Sequence, residues 1–227
     1  MYHMKYMEII FALILKEVIS IFTGLVEEKG KILSLVKSST GYKIKILAKK
    51  ILENVKIGDS IAVNGVCLTV TKFSSNEFEA DIMNETVKRT NFKRLKINSE
   101  VNLEKSLTLN SYLGGHLVTG DVDCEGKIIN IVRDGFAIKY EIEIDKKYLK
   151  YIVEKGRITI DGASLTVVDC TSRSFIVSLI PHTQDGITLS NKKIGEYVNI
   201  ETDLIAKHIE KLIKIDENSI ENLLKKF

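Results

Sequence analysis

The chain contains one long internal repeat, in which residues 58–107 reappear as residues 155–204. The two copies align at an offset of 97 residues, so that Asn64 of the first copy falls opposite Asp161 of the second. A unit of this length, present twice, is typical of two copies of one domain, because solenoid repeats are only about 20–50 residues long. The repeat therefore predicts two similar domains with two similar binding surfaces.

Length and composition agree with two small globular domains. The chain has 227 residues, of which 44% are hydrophobic and 28% are charged; these proportions are ordinary for a soluble protein. The net charge is only +3, and the lysines are scattered along the chain. A nucleic-acid-binding surface needs clustered basic residues, so we expect no nucleic-acid partner.

The cysteines and histidines are far apart in the sequence and show no spacing typical of a disulfide framework or a metal site. The cysteines are Cys67, Cys124 and Cys170, and the histidines are His3, His116, His182 and His208. An odd number of cysteines argues against a secreted disulfide framework and favours a reducing cytoplasm. Because no Cys-x-x-Cys or clustered histidines occur, we also expect no metal site.

Residues 1–20 lie outside the repeat. Their apolar run at 9–15 has seven residues, whereas a membrane-spanning helix needs about 20. Glu8 abuts this run and no small-x-small cleavage site follows, which argues against export. Two interpretations stay open: an extra amphipathic helix, or upstream sequence included by a misplaced start.

Within each copy the pattern predicts strand, turn and strand. Residues 43–47 and 140–144 alternate between polar and apolar side chains, which indicates half-buried strands. Asn64-Gly65 is a strong hairpin signal because both residues tolerate positive φ. Short strands with regular turns predict an all-β fold, built as small closed barrels or sandwiches.

Helical spacing is clear only near the C-terminus. Leu204, Ile205, His208, Ile209, Leu212 and Ile213 form one stripe, and Asp203 is placed to cap the first turn. A second amphipathic pattern follows Ser219 and ends at Phe227. The stripe packs either against other subunits or on its own domain.

Single candidates for chemistry are weak when taken alone. His116 follows two glycines at the predicted start of a strand, but an isolated histidine is more often structural than a base. Cys67 could be a small buried hydrophobe, and Ser164 and Thr166 could be ordinary strand residues.

Seven motifs in unbroken order, from residue 21 to about 213, resemble riboflavin synthase of the alpha-chain type. These motifs are Phe22-Thr23-Gly24-Leu25-Val26-Glu27, Gly58-Asp59-Ser60 leading to Asn64-Gly65-Val66-Cys67-Leu68-Thr69-Val70-Thr71, Glu85-Thr86, Asn102-Leu103-Glu104, Gly114-Gly115-His116-Leu117-Val118-Thr119-Gly120, Ile160-Asp161-Gly162-Ala163-Ser164-Leu165-Thr166-Val167 and Ile180-Pro181-His182-Thr183. Each motif alone would be a weak signal, but their order is specific.

The resemblance implies two tandem similar six-stranded Greek-key β-barrels, at residues 21–115 and 116–203, followed by a C-terminal helical oligomerisation segment at 204–227. It implies conversion of two 6,7-dimethyl-8-ribityllumazine molecules into riboflavin and 5-amino-6-ribitylaminopyrimidinedione, by transfer of a four-carbon unit without metal or cofactor. It also implies a homotrimer, in which the first barrel of one subunit meets the second barrel of another. Association with lumazine synthase is a further expectation about partners.

The resemblance carries two pockets over to this sequence. The first-barrel pocket comprises Gly24, Leu25, Val26, Ser60, Cys67, Leu68, Thr69, Asp81, Ile82, Met83, Asn84, Glu85, Thr86, Gly115, His116 and Leu117, and Phe22 is also expected to bind substrate. The second-barrel pocket comprises Lys155, Asp161, Ser164, Leu165, Thr166, Ile180, Pro181, His182, Thr183, Gln184, Asp185 and Asp203.

The expected catalytic residues are His116, Cys67, Ser60, Ser164, Thr166, Asp161 and Asp203. His116 is the first choice for proton transfer, because an imidazole titrates near neutral pH. Cys67 either attacks a ring carbon or positions the ring. Ser164 stands where the first copy has Cys67, so the two copies are predicted to hold the donor and the acceptor in different surroundings.

Three departures from the family pattern bear on the site. Ile21 stands where the family usually starts with Met, which raises the hypothesis that translation begins at position 21; N-terminal mass spectrometry tests it. Asp121 replaces a common second histidine, and Gln184 replaces an apolar or acidic residue.

Two other classes of function are alternatives to the enzyme. A lumazine-binding antenna protein would share the barrels but tends to lose the reactive residues that persist here. A flavin-binding reductase would need a Gly-x-Gly-x-x-Gly unit, which the chain lacks.

Overall fold

The computed structural model describes residues 20–108 and 111–213. The extension at 1–19, and the predicted amphipathic pattern after Ser219, lie outside the described residues. Within the described part, no helix is long and apolar enough to cross a bilayer.

The first barrel closes from six antiparallel strands. They are β1 (Glu28–Lys37), β2 (Tyr42–Leu47), β3 (Ser60–Val63), β4 (Val66–Phe73), β5 (Glu77–Ile82) and β6 (Glu100–Lys105), in the closed order β1-β2-β5-β4-β3-β6. A 3₁₀ turn at Lys50–Leu52 lies between β2 and β3, and helix α1 (Asn84–Arg89) and a 3₁₀ turn at Asn91–Arg94 lie between β5 and β6. Closure leaves no exposed sheet edge.

The second barrel repeats this topology strand for strand. It contains β7 (Cys124–Asp134), β8 (Ala137–Glu143), β9 (Arg157–Ile160), β10 (Ala163–Cys170), β11 (Ser174–Leu179) and β12 (Tyr197–Thr202), in the closed order β10-β11-β8-β7-β12-β9. Helices α2 (Lys146–Leu149) and α3 (Pro181–Gly186) and a 3₁₀ turn at Thr188–Asn191 complete it. Two closed barrels confirm the predicted fold class; the boundary at 115/116 stays a prediction.

Turns and bulges recur at equivalent positions of the two copies. Asn64 and Gly65 have φ of 45° and 77°, the positive values that a two-residue hairpin turn requires. The register shifts between Ile32 and Ser34 in β1 and between Ile128 and Asn130 in β7. Bulges of this kind bend strands enough to close a small barrel.

Each barrel has its own apolar core, and the hairpin turns make the contact between them. A Cβ on Gly65 would lie 2.8 Å from Gly162 N, so only glycine allows this approach. Asn102 Nδ2 donates to Asp161 O, and Asn199 Nδ2 donates to Asn64 O, both at 2.8 Å. The two barrels are therefore related by an approximate twofold axis between the turns.

A helix over residues 204–213 follows β12. Asp203 Oδ1 accepts a hydrogen bond from Ile205 N at 2.9 Å, which confirms the predicted cap. Lys207 pairs with Asp123, and Glu210 contacts Lys150 and Tyr151. Four residues of the apolar stripe are half or more exposed, namely Ile205, Ile209, Leu212 and Ile213, whereas Leu204 is partly buried. Neither barrel therefore covers most of the stripe.

Candidate active site

Two buried carboxylates hold the segments that precede the barrels. Glu104 Oε1 accepts hydrogen bonds from Thr23 N (2.6 Å) and Thr23 Oγ1 (2.7 Å), and its Oε2 accepts one from Gly24 N (3.0 Å). Glu201 holds Thr119 and Gly120 in the same way. Each Thr-Gly turn is therefore fixed by the last strand of the barrel that follows it.

Burial dominates the electrostatics of both carboxylates. It raises the pKa of Glu201 to about 7, although the bonds from Thr119 and Gly120 and the charge of Lys207 act in the opposite direction. Burial also raises the pKa of Glu104. Both groups are acceptors for three donors, an arrangement that a carboxylate satisfies better than any neutral side chain.

Glu201 should make stability depend on pH. Because its pKa lies above the ordinary 4.5, the folded protein binds more protons, and stability falls as pH rises from 4.5 to about 7. Urea unfolding at about pH 4.5 and about pH 8 should show a loss that is larger in the wild type than in Glu201→Gln by roughly 2–4 kcal/mol, since the raised pKa of Glu104 contributes equally in both proteins. Equal pH dependence in the two proteins would contradict this account.

Each Thr-Gly turn reaches across to the hairpin of the other barrel. Ser164 N donates to Gly24 O at 2.8 Å, and Cys67 N donates to Gly120 O at 3.0 Å. A Cβ on Gly24 would lie 2.5 Å from Ser164 Cβ, so the approach requires glycine. The segment before one barrel therefore helps to build the pocket of the other.

The first pocket surrounds Cys67. Its cavity of about 410 Å³ is lined by Ser20, Gly58, Ser60, Cys67, Thr69, Thr119 and Asp121. Ser20 Oγ donates to Ser60 Oγ at 2.6 Å. Burial, with smaller effects of the charges on Asp121 and Glu201, raises the pKa of the Cys67 thiol, and the Ser60 and Ser20 hydroxyls oppose this. Cys67 is consequently a neutral thiol at neutral pH, which weakens it as a nucleophile.

A hydroxyl–imidazole pair lies at the place in the second barrel that matches the Cys67 pocket, which we call the second pocket. His116 Nδ1 lies 2.7 Å from Ser164 Oγ, and His116 Nε2 lies 3.3 Å from Thr159 Oγ1. Burial lowers the pKa of His116; the charge of Asp203 raises it and that of Arg157 lowers it. The imidazole is therefore neutral at pH 7 and hydrogen bonded at both nitrogens.

The resemblance assigns His116 to the first-barrel pocket, whereas within one chain the structure places it beside Ser164 of the second barrel. His116, Gly24 and Gly115 lie against Ser164, and Val26 packs on the core of the second barrel. The reason is the crossing of the Thr-Gly turns, which places each preceding segment on the opposite barrel. His116 also precedes an isolated bridge at Val118 rather than starting a strand.

The equivalent segment in the first pocket is 20–24, which brings Ser20 to the position of His116. Asp121, the departure from the family pattern, follows Gly120 and lines the Cys67 cavity. The first pocket thus has a thiol, hydroxyls and a carboxylate, whereas the second has a hydroxyl and an imidazole. The two pockets are unequal in chemistry.

The two predicted substrate-binding stretches, residues 81–86 and 180–185, lie at and after the ends of β5 and β11, beside these pockets. Val70 pairs with Ala80 and Val167 pairs with Val177 in antiparallel register, so β5 and β11 end alongside the hairpin ends that carry Cys67 and Ser164. Met83 is 71% exposed there. The remaining members of the stretches are on the same segments: Asp81, Asn84, Glu85 and Thr86, and Ile180, Pro181, His182, Thr183, Gln184 and Asp185.

Several of these side chains already have partners within the protein. Gln184 Nε2 donates to Leu179 O (2.7 Å) and Phe136 O (3.1 Å), so this departure from the family pattern holds α3 on its own barrel. Glu85 pairs with Arg89 at 2.7 Å.

Other predicted residues belong to the core or the surface. The side chains of four predicted substrate residues are buried in the apolar cores: Phe22, Leu68, Ile82 and Leu165. Asp161 is 0% exposed and accepts hydrogen bonds from Asn199 N and Asn91 Nδ2, both at 2.8 Å. The side chain of Lys155 is exposed beside Glu154. Leu25 and Leu117 are partly exposed near the second pocket, and Thr166 Oγ1 accepts from Arg157 Nη1 at 3.2 Å.

Sequence reasoning missed four groups that build the pockets: Glu104, Glu201, Ser20 and Thr159. The repeated Asn-x-Glu of 102–104 and 199–201 was a usable signal for the two carboxylates, since buried acids rarely repeat without a structural task. Nothing in the sequence marked Thr159, because the first copy has Ala62 at that position.

Comparison with known proteins agrees with this geometry. The family described as the lumazine binding domain matches the chain twice, at residues 23–106 and 119–203. The chain is 50% identical to a riboflavin synthase of Actinobacillus pleuropneumoniae over 192 residues, covering 85% of this chain and 89% of that protein. It is 44% identical to a riboflavin synthase of Bacillus subtilis (strain 168) over 206 residues, covering 90% and 96%.

A solved structure with bound riboflavin is similar to this one. The structure of LumP complexed with riboflavin superposes with a TM-score of 0.74 at 28% identity, covering 80% of this chain and 99% of that chain. This similarity extends over both barrels, and the sequence relatives cover nearly the whole of the described chain. On these grounds the chain belongs to the riboflavin synthase family.

Proposed function

We propose that this protein is an enzyme that converts two molecules of 6,7-dimethyl-8-ribityllumazine into one riboflavin and one 5-amino-6-ribitylaminopyrimidinedione. The reaction moves a four-carbon unit from one lumazine to the other, which makes the enzyme a transferase. The observation that carries the proposal is the chemical difference between equivalent places in the two barrels: the cavity around Cys67, and the contact of His116 with Ser164 at the position that matches Cys67. Two copies of one substrate would meet different groups there.

The second pocket has the groups suited to handling a proton. A neutral imidazole beside a hydroxyl can support general acid–base chemistry near pH 7, and the 2.7 Å contact couples His116 to Ser164. Because both ring nitrogens contact protein hydroxyls, we assign the direct contact with lumazine to Ser164. His116 acts through it.

The first pocket supports positioning better than nucleophilic attack. The raised pKa keeps Cys67 protonated, and a thiol is a weak hydrogen-bond donor rather than a strong nucleophile. Holding two rings together can itself lower a barrier by about 7–11 kcal/mol. We therefore assign Cys67, Ser60 and Thr69 to orienting the ring, and we assign Asp161 to the contact between barrels.

Replacing Cys67 with serine should lower kcat by about tenfold while changing the Kd for lumazine by less than about threefold. The smaller hydroxyl keeps a hydrogen-bonding group but moves it relative to the bound ring. Steady-state kinetics and fluorescence titration measure the two quantities. Equal losses in both would mean that Cys67 is a structural residue.

The apolar stripe of the C-terminal helix supports a homotrimer as the working assembly. Four of its residues, Ile205, Ile209, Leu212 and Ile213, are exposed in the single chain, and exposed apolar faces commonly pack against other subunits. A trimer could join the first barrel of one subunit to the second barrel of another. A cytoplasmic location, the absence of a cofactor and an association with lumazine synthase remain predictions.

Fold similarity alone favours a second candidate, a lumazine-binding antenna protein without turnover. LumP complexed with 6,7-dimethyl-8-(1'-D-ribityl) lumazine superposes with a TM-score of 0.72, but at 27% identity over 80% of this chain and 98% of that chain. Incubation with the lumazine distinguishes the two. Growth of flavin absorbance supports the enzyme, whereas tight binding without riboflavin supports the antenna.

A further inference from the structure

Thr159 is the second protein group that contacts the His116 ring. It lies on β9, is 1% exposed, and has its Oγ1 3.3 Å from His116 Nε2. In the strand register it pairs with Ser164 on β10 and with Glu201 on β12. Its hydroxyl is therefore enclosed between the strand that carries the pocket and the strand that carries the buried carboxylate.

The contacts of the ring decide which nitrogen carries the proton. A neutral imidazole has one N–H and one lone pair, so one hydroxyl must donate to it and the other must accept from it. Among the residues that the structure describes, Thr159 Oγ1 makes no other hydrogen bond than the one to His116. If it accepted from Nε2–H, its own buried hydrogen would have no acceptor, which is costly.

We propose that Thr159 is a positioning residue that donates to Nε2 and thereby holds His116 in the Nδ1–H tautomer. The ring then donates from Nδ1 to Ser164 Oγ, and the hydroxyl hydrogen of Ser164 is free to donate to bound lumazine. This inference rests on the proposed function. A donor at this place would stabilise the negative charge that spreads over the lumazine ring when its methyl group loses a proton.

The charged groups around the ring are compatible with a neutral imidazole. Asp203 and Arg157 act on it with opposite sign, and burial disfavours its charged form. The carboxylate of Glu201 is directed at Thr119 and Gly120. A neutral imidazole can carry its proton on either ring nitrogen. In our proposal, the hydroxyl of Thr159 determines which of the two tautomers forms.

The first barrel offers an internal control for this arrangement. Ala62 pairs with Cys67 and Glu104 as Thr159 pairs with Ser164 and Glu201. Ala62 has no hydroxyl, and Ser20 takes the place of His116. The hydrogen-bonded series of hydroxyl, imidazole and hydroxyl is therefore present in the second pocket and not in the first. The feature therefore belongs to one of the two lumazine sites.

The test is NMR of protein labelled with ¹⁵N-histidine, with His116→Gln used to assign the resonances. The wild type should show the Nδ1–H tautomer of His116 at neutral pH. Thr159→Val, which keeps the shape and removes the hydroxyl, should shift the tautomer ratio by about three- to tenfold and lower kcat by a similar factor, with a smaller change in lumazine Kd. Thr159→Ser should restore both, and Ala62→Ser should leave the tautomer unchanged.

An Nε2–H tautomer in the wild type would overturn the inference, as would a ratio that Thr159→Val leaves unchanged. If Thr159→Val does not fold, the tautomer of His116 in the wild-type spectrum tests the inference by itself. The NMR measurement is independent of turnover. A protein that forms no riboflavin but shows the Nδ1–H tautomer would refute the proposed function and leave the positioning role of Thr159 standing.

Discussion

Replacing His116 with alanine should lower kcat for riboflavin formation by about 100- to 1000-fold. The ring lies 2.7 Å from the Ser164 hydroxyl that faces the substrate in our proposal. Without it, Ser164 loses its hydrogen-bonding partner and the pocket loses its neutral proton carrier. Steady-state kinetics with lumazine measures the loss.

The binding of lumazine separates a chemical role for His116 from a structural one. Because the ring acts through Ser164 and not by direct contact, the Kd of His116→Ala should rise by less than about tenfold. A thermal unfolding curve close to that of the wild type would show that the pocket survives. Parallel losses of binding and turnover would mean that His116 is structural.

Replacing Glu104 with alanine should lower the free energy of unfolding by about 3–5 kcal/mol. Glu104 is 5% exposed and accepts three hydrogen bonds from Thr23 and Gly24. Removing the carboxylate leaves two buried N–H groups and a hydroxyl without their acceptor. Urea denaturation of wild type and variant at one pH measures the difference.

Glu100 on the same strand is the matched control. It is exposed, and its carboxylate accepts one exposed hydrogen bond, from Asn191 Nδ2 at 3.2 Å, so Glu100→Ala should cost less than about 1 kcal/mol. Glu104→Ala should also slow turnover, because the Gly24 turn contacts Ser164 in the other barrel. A cost for Glu104→Ala no larger than that of Glu100→Ala would refute the structural role of this carboxylate.

Features that depend on local sequence could be predicted. The Asn64-Gly65 turn needs positive φ at both residues, and two residue types that tolerate it stand side by side. The cap at Asp203 likewise needs only one acceptor side chain, which lies within three residues of the amide that donates the hydrogen bond to it. In both cases the physical cause lies within a few residues of the effect.

The division of residues between the pockets could not be predicted in this way. His116 meets Ser164 across 48 residues, and Glu104 meets Thr23 across 81. Such contacts depend on how two closed barrels dock, which the periodicity of single strands does not encode. The resemblance assigned His116 to the first-barrel pocket, but within one chain the ring lies at the second barrel, because sequence order hides the crossing of the Thr-Gly turns.

The unequal pockets give the 97-residue repeat its functional meaning. A perfect repeat would treat two lumazine molecules alike, whereas Cys67 and Asp121 in one pocket and Ser164, His116 and Thr159 in the other do not. In our proposal, the same fold therefore presents one substrate with two environments.

The most direct test of this account is to quantify both products after purified protein has consumed a known amount of 6,7-dimethyl-8-ribityllumazine. The account predicts one riboflavin and one 5-amino-6-ribitylaminopyrimidinedione for every two lumazine molecules consumed, without added cofactor. Recovery of the lumazine unchanged from a stable complex, with neither product formed, would contradict it.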